Sequence, residues 1–145
     1  MESIIIYMKK LLFTISTILV LGSCAKEVDN FPEVDLFLEI YPNSPKYFNL
    51  ASPGGWVYED GGVNGLLIYR KNETQFIVYD RACSYKPEDA CEQIEVENSG
   101  SFSLKDECCG SRFLITNGSI ITGPADAPLR VYQNSYNGNS LRIWN

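Results

Sequence analysis

An all-β fold is predicted by three observations on this sequence of 145 residues. Beyond the first thirty residues, apolar stretches are short and rich in Ile, Val, Tyr and Phe, the residues that suit a pleated, half-buried surface. Gly, Asn, Pro or Ser interrupts them every several residues, and no stretch keeps a helical period over three turns. Two connections also carry hairpin chemistry. Lys71-Asn72-Glu73-Thr74 separates aromatic-rich runs, and Asn117-Gly118 suits a type I′ turn. Strands are accordingly expected at residues 34–41, 66–70, 75–80, 92–96, 101–104, 112–116, 119–121, 129–133 and 141–144, with a third hairpin closing at Asn137-Gly138. No internal repeat is present.

Ahead of these strands lies an export signal. Met8-Lys9-Lys10 is followed by an apolar run from Leu11 to Leu21 that is too short to span a bilayer. Met8 serves as well as Met1 for a start, since Met1 to Tyr7 adds nothing a signal peptide requires. The run ends in Leu21-Gly22-Ser23-Cys24, which resembles the lipobox of bacterial lipoproteins. That resemblance implies cleavage before Cys24 and diacylglycerol on its sulfur, and several acyl chains on one residue anchor stably. The expected organisation is a signal peptide at 1–23, a lipidated tether at 24–33 and one β domain at 34–145. The tether, Cys24 followed by AKEVDNFPE, is polar, contains a proline and has no period. A lipid-anchored protein of the cell envelope is expected, in the outer membrane with a periplasmic or surface face.

Composition narrows the chemistry. Formal charge is −6, removal of the leader makes the chain one charge more negative, and no Lys/Arg cluster interrupts that surface. Such a surface repels phosphate backbones, so nucleic acid is not an expected partner. There is no histidine. Its absence removes the usual general base, the commonest metal ligand and every Ser-His-Asp or Cys-His arrangement, so no enzyme activity and no catalytic residue are expected.

Two segments carry a family resemblance. LLIYRKNETQFIVYDRACSY, from Leu66, resembles the Rieske hairpin that delivers a Cys-x-His box at its end. DECCGSRFLITNGSIITGPADAPLRVY, from Asp106, resembles the second box, Cys-x-Cys-His-Gly-Ser-x-Phe, with the hairpin and Gly-Pro-Ala loop that follow. Cys108, Gly110, Ser111, Phe113, Gly118, Gly123, Pro124, Ala125, Pro128 and Leu129 all match. The resemblance implies stacked antiparallel sheets with the two boxes as neighbouring loops at one tip. Cys83 stands at the first ligand position, but Tyr85 replaces the first histidine, Asp106 the second cysteine and Cys109 the second histidine. The first box is also longer than in the disulfide-bearing relatives, which implies an inserted bulge at 86–89.

A Rieske centre requires two imidazoles on one iron and two thiolates on the other. With one of four ligands left, neither the cluster nor another cofactor is expected. In cluster-bearing relatives the second cysteines of each box are bonded, so the resemblance implies a Cys91–Cys108 disulfide. Cys83 and Cys109 then face each other across the vestigial site, and a second bridge between them would staple the loop tip. Zinc on Cys83, Cys109 and Asp106 is an alternative, as is iron on the oxygen donors of Asp106 and Tyr85, or thiol exchange at Cys109.

Two further groups are candidates. Glu88, Asp89, Glu92, Glu95 and Glu97 lack calcium-loop spacing and read as a solvated face. Tyr41, Tyr47, Trp56 and Tyr58, near Gly54-Gly55 and Gly61-Gly62, could make an aromatic platform for a glycan, or be packing. Two functional classes follow. One is a non-enzymatic lipoprotein that binds an envelope protein or glycan or serves structurally, and the other is a redox or metal protein with an altered Cys/Asp ligand set.

Overall fold

In the computed structural model the described residues are 31–145, except 92 and 99. The signal peptide, Cys24 and most of the tether lie outside them. Ten strands occur among the described residues: β1 (Phe37–Ile40), β2 (Trp56–Glu59), β3 (Leu66–Arg70), β4 (Phe76–Asp80), β5 (Ile94–Val96), β6 (Ser103–Asp106), β7 (Arg112–Leu114), β8 (Ile120–Thr122), β9 (Val131–Tyr136) and β10 (Leu141–Trp144). One 3-10 turn, Pro45–Leu50, completes a nearly all-β domain. Its antiparallel sheets have strand orders β1-β10-β9-β4-β3-β2 and β5-β6-β7-β8.

The β3–β4 hairpin organises the whole. Every residue of LLIYR is buried, because alternate side chains face two different cores. Leu66 and Ile68 join Phe76 and Val78 in a core closed by Ile40, Leu141 and Ile143 from the long sheet and by Leu50 from the 3-10 turn. Leu67, Tyr69 and Tyr79 join Ile94, Leu104, Phe113, Ile115 and Leu129 in a second core under the small sheet. Each such aliphatic side chain contributes about 1.5–3 kcal/mol by leaving water. A register slip of one residue would exchange the two cores, so the pairing from Leu66 with Asp80 to Arg70 with Phe76 is strongly specified.

The hairpin turn is built as its sequence demands. Asn72 Oδ1 accepts from the Thr74 and Gln75 amides at 3.0 and 2.9 Å. Arg70, though buried, donates to the Leu50 and Glu73 carbonyls at 2.8 and 2.9 Å and ties the 3-10 turn to the hairpin.

Several elements differ from expectation. Trp56–Glu59 is a strand paired with β3, where no strand is expected from the sequence. The strand expected at 34–41 is confined to Phe37–Ile40, and that expected at 129–133 begins later and runs to Tyr136. The Asn117-Gly118 connection is wider than a two-residue turn. The Leu114 carbonyl accepts the Gly118 amide at 2.7 Å and the Leu114 amide reaches Ser119 at 2.9 Å. The reason is Ile115, which is 1% exposed in the second core and could not be buried from a tight two-residue loop.

Candidate functional site

Three loops meet beside the small sheet. The first leaves β4 at Asp80 and carries Cys83, Tyr85 and Cys91. The second joins β6 to β7 and carries Asp106, Cys108 and Cys109. In the third, residues 123–128, the Ala125 amide donates to Ser111 Oγ at 3.1 Å, and the Ala127 carbonyl accepts from Ser84 Oγ at 2.6 Å. Gly123 has φ +116° and approaches so closely that a Cβ there would lie 2.4 Å from Ser111 Cα, so only glycine lets this loop close onto the second.

The second loop is shaped by its own aspartate. Asp106 Oδ1 accepts from the Cys108 and Cys109 amides at 2.7 and 2.9 Å, while the Asp106 backbone bonds Ser111 and Gly110. This is a side-chain cap of the kind Asp makes two residues ahead of itself. The other oxygen, Oδ2, is buried and has no hydrogen-bond partner, and the residue is wholly inaccessible.

The cysteines divide into two pairs. Cys91 and Cys108, both at the exposed rim, are joined by a disulfide with Cα atoms 5.9 Å apart. It joins the first two loops and closes a loop of 17 residues, which by chain entropy is worth about 3 kcal/mol. Cys83 and Cys109 are brought together as expected but differ from the expected second bridge, because their sulfurs stand 3.6 Å apart, against about 2.05 Å for a bond. Each is held in place by other contacts. The Ser111 amide donates to Cys109 Sγ at 3.4 Å, and Ser111 Oγ lies 3.1 Å from the same sulfur. Cys83 is fully buried and receives the Tyr85 amide. Burial pushes the Cys83 thiol up to about 12, so at neutral pH it is not a nucleophile.

Tyr85 is apart from this group. It is 41% exposed, with the Lys86 ammonium 5.3 Å from its ring centre. The site therefore unites Cys83, Asp106 and Cys109, whose two sulfurs and a carboxylate oxygen lie within 4.8 Å of one another. Those residues do not fit a Rieske centre. No imidazole exists in the chain, and one of the Asp106 oxygens is already spent on two amides.

The other candidate groups do not converge. Glu88 and Asp89 are exposed, whereas Glu95 pairs with Arg81 at 3.3 Å and Glu97 with Arg112 at 2.9 Å; Glu92 is outside the described residues. Tyr47 is buried in the first core, while Trp56 and Tyr58 pack on the second. Tyr41 is 51% exposed, and the 3-10 turn and β2 send Tyr47 to one core and Trp56 and Tyr58 to the other, so the four aromatics do not form one platform. Tyr58 instead lines an open cleft of about 660 Å³ with Lys46, Glu59, Asn64, Arg81 and Gln93.

Sequence reading missed Asp80, the other wholly buried carboxylate among the described residues. It accepts from the Val63, Asn64 and Ala82 amides at 2.6, 3.2 and 2.8 Å and from the Tyr132 hydroxyl at 2.8 Å. Gly62, at φ +65°, is required there, since a Cβ would sit 2.3 Å from Asp80 Oδ2. The available signal was Asp80 at an inward position of the alternating strand FIVYD.

Two sheets, two cores and paired loops at one tip define a Rieske-like domain. No family model matches the chain, and no curated protein matches it. Among solved structures, the chain is similar to the cyanobacterial plasma membrane Rieske protein PetC3 from Synechocystis PCC 6803. The TM-score is 0.51 and the identity 17%, covering 77% of this chain and 98% of that one. A second is the ferredoxin of carbazole 1,9a-dioxygenase from Nocardioides aromaticivorans IC177, at TM-score 0.44 and 16% identity, covering 63% of this chain and 86% of that one. At 17% identity the likeness to the cyanobacterial Rieske protein is one of fold alone.

Proposed function

We propose that this chain is an exported lipoprotein, anchored through Cys24, whose Rieske-like domain works without an iron–sulfur cluster as a non-enzymatic binding or structural module of the cell envelope. One observation carries the reading. At the four positions where the fold would hold its cluster stand a buried thiol, an exposed tyrosine, an aspartate committed to its own loop and a second thiol. Such a set supplies no imidazole to bind or tune the irons.

The surrounding chemistry supports a module of fixed shape. A disulfide and the close approach of Gly123 to Ser111 keep the three loops together. The acidic surface and the absence of histidine favour an envelope protein or a glycan as partner over nucleic acid or a reacting substrate.

Protein purified from the membrane is expected to lack the visible absorption of a [2Fe–2S] centre and to contain no acid-labile sulfide. Stoichiometric sulfide with a Rieske-type paramagnetic signal on reduction overturns the reading. In fractionated cells, Cys24→Ala is expected to accumulate as precursor or to be released as soluble protein. A cleaved Cys24→Ala product retained in the membrane overturns the anchor.

A further inference from the structure

The Asp106 carboxylate presents a physical problem that the fold alone does not solve. Its Oδ2 atom is buried with no hydrogen-bond donor, and an acceptor taken out of water without a partner is costly. The neighbouring cations face elsewhere: Lys105 pairs with Glu107 at 2.7 Å and Arg112 with Glu97 at 2.9 Å. What does stand beside Asp106 is a pair of thiols from two different loops, within 4.8 Å.

We propose that Cys83, Cys109 and Asp106 bind one divalent cation of borderline softness, Zn²⁺ by its chemistry, through two thiolates and Asp106 Oδ2, with the fourth position open to water.

Geometry supports this more closely than it supports a disulfide. Two sulfurs at 2.3 Å from a tetrahedral zinc stand about 3.8 Å apart, and the observed separation is 3.6 Å. A covalent bridge would need them to close by more than 1 Å in a tip already held by the Cys91–Cys108 bond, at about 2.05 Å in the product. That same bond removes Cys108 from competition, so the adjacent cysteine does not crowd the ion. Binding releases two thiol protons and leaves the ligands' charges balanced to −1 by the metal. That residual charge faces two amide donors, Tyr85 N–H to Cys83 and Ser111 N–H to Cys109, while Ser111 Oγ orients the Cys109 sulfur.

The site needs no iron, sulfide or imidazole. It goes beyond the proposed function by assigning a non-redox cation to the tip, and the two fail separately.

The test uses the full chain in detergent, reduced and kept anaerobic, titrated with Co²⁺ and then with Zn²⁺. One equivalent of Co²⁺ is expected to produce a thiolate-to-cobalt charge-transfer band and the intense visible absorption of a tetrahedral site, and one equivalent of Zn²⁺ to bleach both. Cys83→Ser and Cys109→Ser should each lose about half of the charge-transfer intensity, one thiolate of two. The doubly substituted Cys91→Ser, Cys108→Ser chain should keep it all. Asp106→Asn retains an oxygen for the two amides, so it preserves the loop while weakening Co²⁺ binding by about tenfold or more. If the reduced chain, folded by near-ultraviolet circular dichroism, develops no charge-transfer band, the proposal is overturned. A band that persists when Cys83 and Cys109 are both serine overturns it equally. An iron–sulfur spectrum would instead defeat the cluster-free reading.

Discussion

Asp80 and Asp106 are both completely buried, both end a β-strand and both cap the loop that follows or faces them, yet their surroundings differ in one respect. Asp80 uses both oxygens, on three amides and a tyrosine hydroxyl. Asp106 uses one, on two amides, and leaves the other without a partner, in a carboxylate that lies within 4.8 Å of two thiol sulfurs. The first carboxylate is satisfied by the chain itself, which is how a buried charge serves stability. The second is half satisfied, which marks a place where the chain alone is not the whole structure.

The largest effect should come from breaking the satisfied site. Asp80→Ala leaves three amides and the Tyr132 hydroxyl without their acceptor in a dry environment, and a loss of about 4 kcal/mol is expected from denaturant unfolding. A loss below about 1 kcal/mol would mean that water replaces the carboxylate and that the comparison is unsound.

Next in size is the rim. Replacing Cys91 and Cys108 by alanine should cost about 3 kcal/mol, read as a shift in midpoint without loss of the β spectrum. Equal stability with and without the bridge would show that contacts between the loops, including the Ser84 to Ala127 hydrogen bond at 2.6 Å, already hold the tip.

Tyr132→Phe tests Asp80 from the other side. Losing one hydrogen bond to a charged acceptor should cost about 2 kcal/mol at neutral pH. It should also change the alkaline limb. Burial, and then the Asp80 carboxylate, raise the Tyr132 pKa above its ordinary 10.0, and burial does the same for Tyr79. A group that keeps its proton longer when folded stabilises the protein fully below pH 10, and that contribution drains away as pH rises beyond it. Stability should therefore fall above pH 10, and less steeply in Tyr132→Phe. An unchanged slope would place the alkaline sensitivity elsewhere.

The smallest effect should be Asp106→Asn in metal-free protein, within about 0.5 kcal/mol, because the two amides keep an oxygen and Oδ2 has no hydrogen bond to lose. A loss approaching that of Asp80→Ala would show that Oδ2 has a partner within the protein and would erase the contrast between the two sites.

How much of this was legible beforehand can be followed along single segments. LLIYR and FIVYD announced a buried hairpin through apolar content, and their turn through Asn72. Trp56–Glu59 did not announce itself, since a four-residue strand between glycine pairs carries too short a pattern to outweigh its flanks. Ile115 looked like the end of a strand but turned inward and widened the loop. At the tip, the resemblance to the Rieske boxes implied that Cys83, Asp106 and Cys109 share one place and that Cys91 pairs with Cys108. It also led to a second bridge where the structure has two thiols in contact.

By itself, then, the sequence determined the fold class, the hairpin that separates the two cores, and the donors available at the tip, because alternation, turn residues and side-chain chemistry are local properties. Tertiary structure alone decided that Asp80 is fully satisfied, that Tyr47 and Tyr58 face opposite cores, and that Asp106, with one oxygen unpartnered, gathers with two sulfurs 3.6 Å apart. Satisfaction and separation depend on what distant segments bring within a few ångströms, and no local pattern records that.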